Sequence, residues 1–227
     1  LGWTAAFVLL GALIGSISGS VQSMLDDPKL ADMLRKIGGS HGTLVDIFFR
    51  AELKEAAVVA AAAAISMALH ARGEEVAGRA ELLLSTAAGR VRWLLSHALV
   101  AVLAPLWLLL CLGAAAGLTA SGSDVPPPLT LIAAALALAP AAWVCAGAAL
   151  LLFGALPRLT PLVWVLFAIA FVLAEFGALL SLPGRLIWLS PFDHLLALPG
   201  GTVTAGPLLT LTGVAVLLGA TGALAFR

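Results

Sequence analysis

Three groups of residues have the types and spacing that chemistry requires. Ser190, Asp193 and His194 place a hydroxyl, a carboxylate and an imidazole within five residues. Nucleophilic catalysis uses such a trio, with base and nucleophile in hydrogen-bond reach and a third group orienting the base. Here the trio falls in a proline-rich segment, and closeness in sequence is not the geometry of a triad, so no catalytic residue is assigned. Glu175 is the one acid deep inside an apolar segment. An ionisable group at membrane depth is costly and marks a transport path or binding site by default. A place near the membrane face, close to Pro183 and partly wet, accounts for it equally, and both readings stay open. The third group is the run from Arg72 to Trp93, which carries Arg72, Glu74, Glu75, Arg79, Glu81, Arg90 and Arg92. There is no His-Glu-x-x-His, no paired-cysteine motif and no phosphate-cradling glycine loop with a lysine. No metal ligands are assigned, and the chain is not expected to hydrolyse ATP itself.

The elements that position these residues follow from composition. Of 227 residues, 62% are hydrophobic and 11% charged, against about 25% charged in a soluble domain. Mean hydropathy is +1.10. This is an all-α integral membrane protein. Its net charge of zero gives no footprint for nucleic acid. Cys111 and Cys145 sit inside apolar segments and read as small packing residues. Apolar sequence begins at Leu1 without a methionine, the reading of one part of a longer polypeptide.

A membrane-spanning helix needs about 20 mostly apolar residues. Six segments qualify, at about 3–22, 52–70, 93–118, 129–156, 160–181 and 207–226. Together they are read as one transmembrane domain over 1–227. In the first, Gly11, Gly15 and Gly19 recur at every fourth position, the spacing that lets a neighbouring helix approach closely. Gly213, Gly219 and Gly222 are the corresponding small positions of the last span. Pro105 is expected to bend the third span, and Pro140 lies inside the fourth. Residues 23–49 form an interfacial region between the first two spans. Within it, Asp26-Asp27-Pro28 starts a short amphipathic helix that lies along the membrane surface and ends at Gly38-Gly39. The charges Arg50, Glu52, Lys54 and Glu55 open the second span, and either snorkel to the headgroups or face water inside. Residues 182–206 are apolar but interrupted by Pro183, Pro191, Pro199 and Pro207. Short interfacial or re-entrant helices fit there, one of them started by Ser190-Pro191.

The charged loop 72–92 cannot lie in hydrocarbon. Gly73 separates it from the second span, and Glu75 and Arg79 form an i, i+4 pair of the favourable order. A short water-exposed helix is expected. It either docks a soluble partner or is a plain solvated hairpin. Counting Lys and Arg gives six on each side of the membrane, so the positive-inside rule does not orient the chain.

The pattern Glu74-Glu-x-x-Gly78-Arg-x-Glu81-x-Leu-Leu-x-Thr86, followed by Arg90-x-x-Trp93, resembles the first cytoplasmic loop of type-2 ABC exporter permeases. The nearest group is the actinobacterial multidrug and polyketide-antibiotic exporters, tetronasin-type permeases included. Ser190-Pro191-Phe192-x-His194 with Leu198-Pro-Gly-Gly201 resembles the loop before the last span in that group. The likeness covers nearly the whole chain, as the C-terminal six-span half of such a permease. Relatives often carry Pro near Ala87, and its absence affects only the local turn.

The resemblance implies a membrane subunit of an exporter of lipophilic drugs or antibiotics, multi-pass in the bacterial inner (plasma) membrane. It makes Glu74, Glu75, Gly78, Arg79, Glu81 and Leu82 the cytoplasmic coupling helix that contacts an ABC ATP-binding subunit. ATP and Mg would be bound on that subunit, with no cofactor on this chain. The further partners implied are a second permease half, in the same or a homologous chain, the lipid bilayer and a lipophilic small molecule. Glu175, Trp188, Phe192 and His194 would line the substrate path and outer gate. The alternatives are a membrane scaffold or channel-like subunit, or a secondary transporter, for which only Glu175 offers a coupling group.

Overall fold

A computed structural model describes residues 2–24, 43–76, 90–122, 124–177, 179–195, 198–202 and 204–226. All regular structure among them is helical: α1 (Gly2–Met24), α2 (Leu44–Val76), α3 (Arg90–Thr119), α4 (Pro128–Leu136), α5 (Ala139–Ala155), α6 (Leu162–Phe176), α7 (Gly184–Ile187) and α8 (Ala205–Ala225), with 3-10 turns at Pro157–Leu159 and Pro191–His194. Five stretches among them are long and apolar enough to cross a membrane: Gly2–Ser20, Val45–His70, Ser96–Thr119, Pro128–Ala155 and Ala205–Ala225. The fifth segment read from sequence contains the shorter apolar helix Leu162–Phe176. The expected amphipathic helix after Asp26 lies outside the described residues.

Helix ends differ from expectation for identifiable reasons. The second helix starts at Leu44 rather than near Glu52 because Thr43 and Asp46 form a capping box. The Thr43 backbone N–H donates to Asp46 Oδ2 at 2.7 Å, and the Asp46 N–H donates to Thr43 Oγ1 at 3.1 Å. Two otherwise unpaired helix-start donors are satisfied reciprocally. Arg50, Glu52, Lys54 and Glu55 therefore lie inside the helix, beyond its first turn. At its other end α2 continues through Gly73 to Val76, so Gly73 is not a break. A glycine in a helix interior costs only about 0.5–1 kcal/mol relative to alanine. The fourth apolar segment is two helices, because Pro140 has no N–H to offer the Leu136 carbonyl. The chain turns instead at Ala137 and Leu138, whose N–H groups bond to the carbonyls of Ala133 and Ala135 at 3.0 and 3.1 Å.

The chain divides into two compact units: Leu1–Ala57 with Leu106–Ala139 and Leu195–Ala205, and Val58–Pro105 with Pro140–His194 and Gly206–Arg227. In the first unit α1 packs on the later part of α3. A Cβ at Gly11 would overlap the Leu112 carbonyl, and one at Gly15 the Ala116 carbonyl and the Thr119 hydroxyl. One at Gly19 would lie 2.9 Å from Ser121 Oγ. Backbones this close let polar groups bridge the helices: Thr119 Oγ1 donates to the Ala12 carbonyl at 3.1 Å, and the Ser121 N–H to Ser18 Oγ at 3.2 Å. Ile14, Val45, Phe49, Ala116 and Leu131 form the buried core beside this seam.

In the second unit α5 meets α8 in the same way. A Cβ at Gly154 would overlap the Gly222 carbonyl, and one at Gly222 the Leu150 carbonyl. The three small positions expected of the last span are thus not equivalent. Gly219 has only the tip of Leu150 within van der Waals range, and Gly213 faces open space.

Candidate functional site

The residues read as a gate are held by α6 and the segment that follows it. α6 ends at Gly177, whose missing side chain leaves room for Ile187 of α7. The turn between them is closed by Leu180 N–H to the Phe176 carbonyl at 2.8 Å and Leu182 N–H to the Gly177 carbonyl at 2.9 Å. The chain then folds back along α6. Ser190, fully buried, donates its hydroxyl to the Ala170 carbonyl at 2.7 Å. The same oxygen accepts from the Phe192 N–H at 3.3 Å. One hydroxyl therefore both starts the 3-10 turn and fastens it to the helix twenty residues earlier.

That fastening places the neighbours. Phe192 is 1% exposed and meets Phe167 edge-on, with centroids 6.3 Å apart. Trp188 is 67% exposed and packs against His194 at 5.2 Å in a T-shaped pair. His194 Nδ1 lies 3.0 Å from the Ser190 carbonyl oxygen, not its hydroxyl. The Ser190–Asp193–His194 trio is thereby arranged as a turn and not as nucleophile and base. Trp188 and His194 are brought together, whereas Phe192 turns inward against Phe167. Glu175 is half-buried near the C-terminal end of α6.

Beneath this segment is a cavity of about 290 Å³ whose wall includes Cys145, Val163, Phe167, Ala170, Leu189 and Pro191. A second cavity, of about 420 Å³, opens between α3, α5 and α8 and is walled by small residues such as Ala101, Ala146, Gly147 and Gly219. Trp143 borders it and donates its indole N–H to the Val102 carbonyl at 3.0 Å. Both walls are almost wholly apolar. They can hold uncharged, lipophilic groups and offer no donor set for bond-making chemistry.

Glu74 and Glu75 fall in the last turn of α2, while Gly78, Arg79, Glu81 and Leu82 lie outside the described residues. No group of three or more His, Cys, Asp or Glu able to hold a metal occurs among the described residues. Sequence reading passed over one polar cluster in the first unit. Arg50 Nη2 donates to the Pro199 carbonyl at 3.0 Å. Gly200, at φ +87°, rests on the Asp46 side chain, where a Cβ would lie 2.9 Å from the Asp46 Cβ. Its signals were the Thr-x-x-Asp capping pattern and the Pro-Gly-Gly turn. The boundary between the two units runs through the expected outer region, at His194 and Leu195.

The described residues thus define a multi-pass α-helical membrane protein with apolar cavities. The whole chain, residues 1–227, matches the family "Multidrug efflux system permease Rv1217c, C-terminal domain", and it belongs to that family. It is 35% identical over 229 residues to "Multidrug efflux system permease protein Rv1217c" of Mycobacterium tuberculosis, an alignment that covers 99% of this chain and 42% of the relative. The chain therefore spans less than half the length of that relative. These matches bear out the resemblance to the C-terminal half of a drug-exporter permease.

Proposed function

We propose that the chain is the C-terminal membrane half of the permease of an ATP-driven ABC exporter, moving lipophilic drugs or antibiotics out across the bacterial inner membrane. The observation that carries this reading is the family match over residues 1–227. The apolar cavities of the second unit suit lipophilic cargo. ATP and Mg belong to a separate ATP-binding subunit, which hydrolyses the nucleotide. The coupling segment around Glu74 to Leu84 docks that subunit, and a second permease half completes the path. Glu175, Trp188, Phe192 and His194 form the outer part of the route.

The test is co-purification of the full-length permease with candidate ATP-binding subunits, followed by ATP hydrolysis with and without lipophilic substrates. Substrate-stimulated hydrolysis is expected. Reversing the charge at Glu75 or Arg79 separates hydrolysis from transport while the protein still folds. Efflux and co-purification left intact by both single reversals would remove the coupling assignment.

A further inference from the structure

His70 and His97 stand on different helices of the second unit, α2 and α3. Their imidazole centroids are 6.4 Å apart, with ring planes tilted by 42°. His70 is exposed and His97 half-buried. Neither is used in the transport scheme above. A pair of imidazoles from two helices is a donor set of a particular chemical class, suited to Zn²⁺, Cu²⁺ and Ni²⁺ rather than to Mg²⁺ or Ca²⁺.

The spacing agrees with that chemistry. A metal–nitrogen bond is about 2.0–2.1 Å, so two rings on one ion have centroids about 5 Å apart at a tetrahedral angle and about 6.4 Å apart in a linear arrangement. The observed separation is at the wide end of this range, and a swing of about 1 Å by the exposed His70 ring reaches the tetrahedral case. We propose that His70 and His97 form a binding site for one borderline transition-metal ion, each helix giving one ring nitrogen and water filling the remaining positions. Bound there, the ion ties α2 to α3 just where the two helices lead into and out of the charged loop.

Titration of the untagged full-length protein in detergent with Cu²⁺, followed by electron paramagnetic resonance, tests the site, with Zn²⁺ as competitor. The expected result is one bound ion showing two nitrogen ligands and displaced by Zn²⁺. His70→Gln and His97→Gln are each expected to weaken binding by about tenfold or more, whereas His41→Gln and His194→Gln leave it unchanged. Zn²⁺ is expected to raise the melting temperature of the parent protein but not of His70→Gln. Equal affinity in all four variants, loss confined to His41→Gln or His194→Gln, or a spectrum with one nitrogen would overturn the proposal. If His97→Gln does not fold, His70→Gln decides the matter alone, since its side chain is exposed.

Discussion

Two kinds of helix contact divide the molecule. At the α1–α3 and α5–α8 seams, glycines remove the side chain and backbone meets backbone. Around α6 and the segment 184–194, aromatic side chains and one buried hydroxyl make the contact, and a cavity remains. The difference follows from solvent. In lipid there is little hydrophobic gain in bringing two apolar helices together, so close van der Waals approach must supply the attraction, and small residues permit it. Such a seam tolerates neither loss nor gain of volume. An aromatic contact with a cavity beside it has side-chain rotamers to spend on rearrangement. The seams therefore leave less room for rearrangement than the α6 region does.

The α5–α8 seam is most sensitive at Gly222. Gly222→Leu forces a side chain into the Leu150 backbone, where no rotamer change relieves it. The expected cost exceeds the ~1–3 kcal/mol of ordinary overpacking, and size-exclusion chromatography should show no monodisperse protein. A normally eluting variant would mean that the seam yields. Next comes Phe192→Ala, which removes a buried ring from the Phe167 contact. A loss of about 3–5 kcal/mol is expected, read as a lower melting temperature with the fold retained. If hydrogen exchange through Gly184–His194 stayed unchanged, the aromatic contact would not be what holds that segment. The smallest effect is at Gly213, which faces open space. Gly213→Ala should be neutral or stabilising by up to about 1 kcal/mol, through helix propensity alone. A clear destabilisation there would show an unrecognised partner surface.

Periodicity and length made the long helices legible, because hydrophobic runs of about 20 residues leave few alternatives. Their ends were less legible. Thr43-x-x-Asp46 is a readable capping box that the charges at Arg50, Glu52, Lys54 and Glu55 obscured, since charge density suggested a boundary where the helix continues. Gly73 and Pro140 were weighed by residue type. Of these two, only Pro140 interrupts its helix, where a hydrogen bond is lost, whereas Gly73 costs entropy alone; Pro105 is carried inside α3. Ser190 was read correctly as a helix start, but its bond to the Ala170 carbonyl was invisible in sequence, as were the His70–His97 and Arg50–Pro199 pairings. Such contacts depend on how helices are laid side by side, which no local pattern encodes. Gly11 and Gly213 show the same limit: both are helix glycines, and only neighbours distinguish a seam from open space.

The shortness of α6 has a consequence for the membrane itself. Its 15 residues span only about 22 Å, whereas the hydrocarbon core of a bilayer averages about 30 Å. A crossing built on this helix requires the lipids beside it to thin or splay, at fractions of a kcal/mol per Å of mismatch. The turns at Pro157–Leu159 and beyond Gly177, closed by their own hydrogen bonds, then sit at the polar boundary, where Trp164 and Trp188 suit the interface. Bilayer thickness would then bear on α6 more directly than on the five longer apolar stretches.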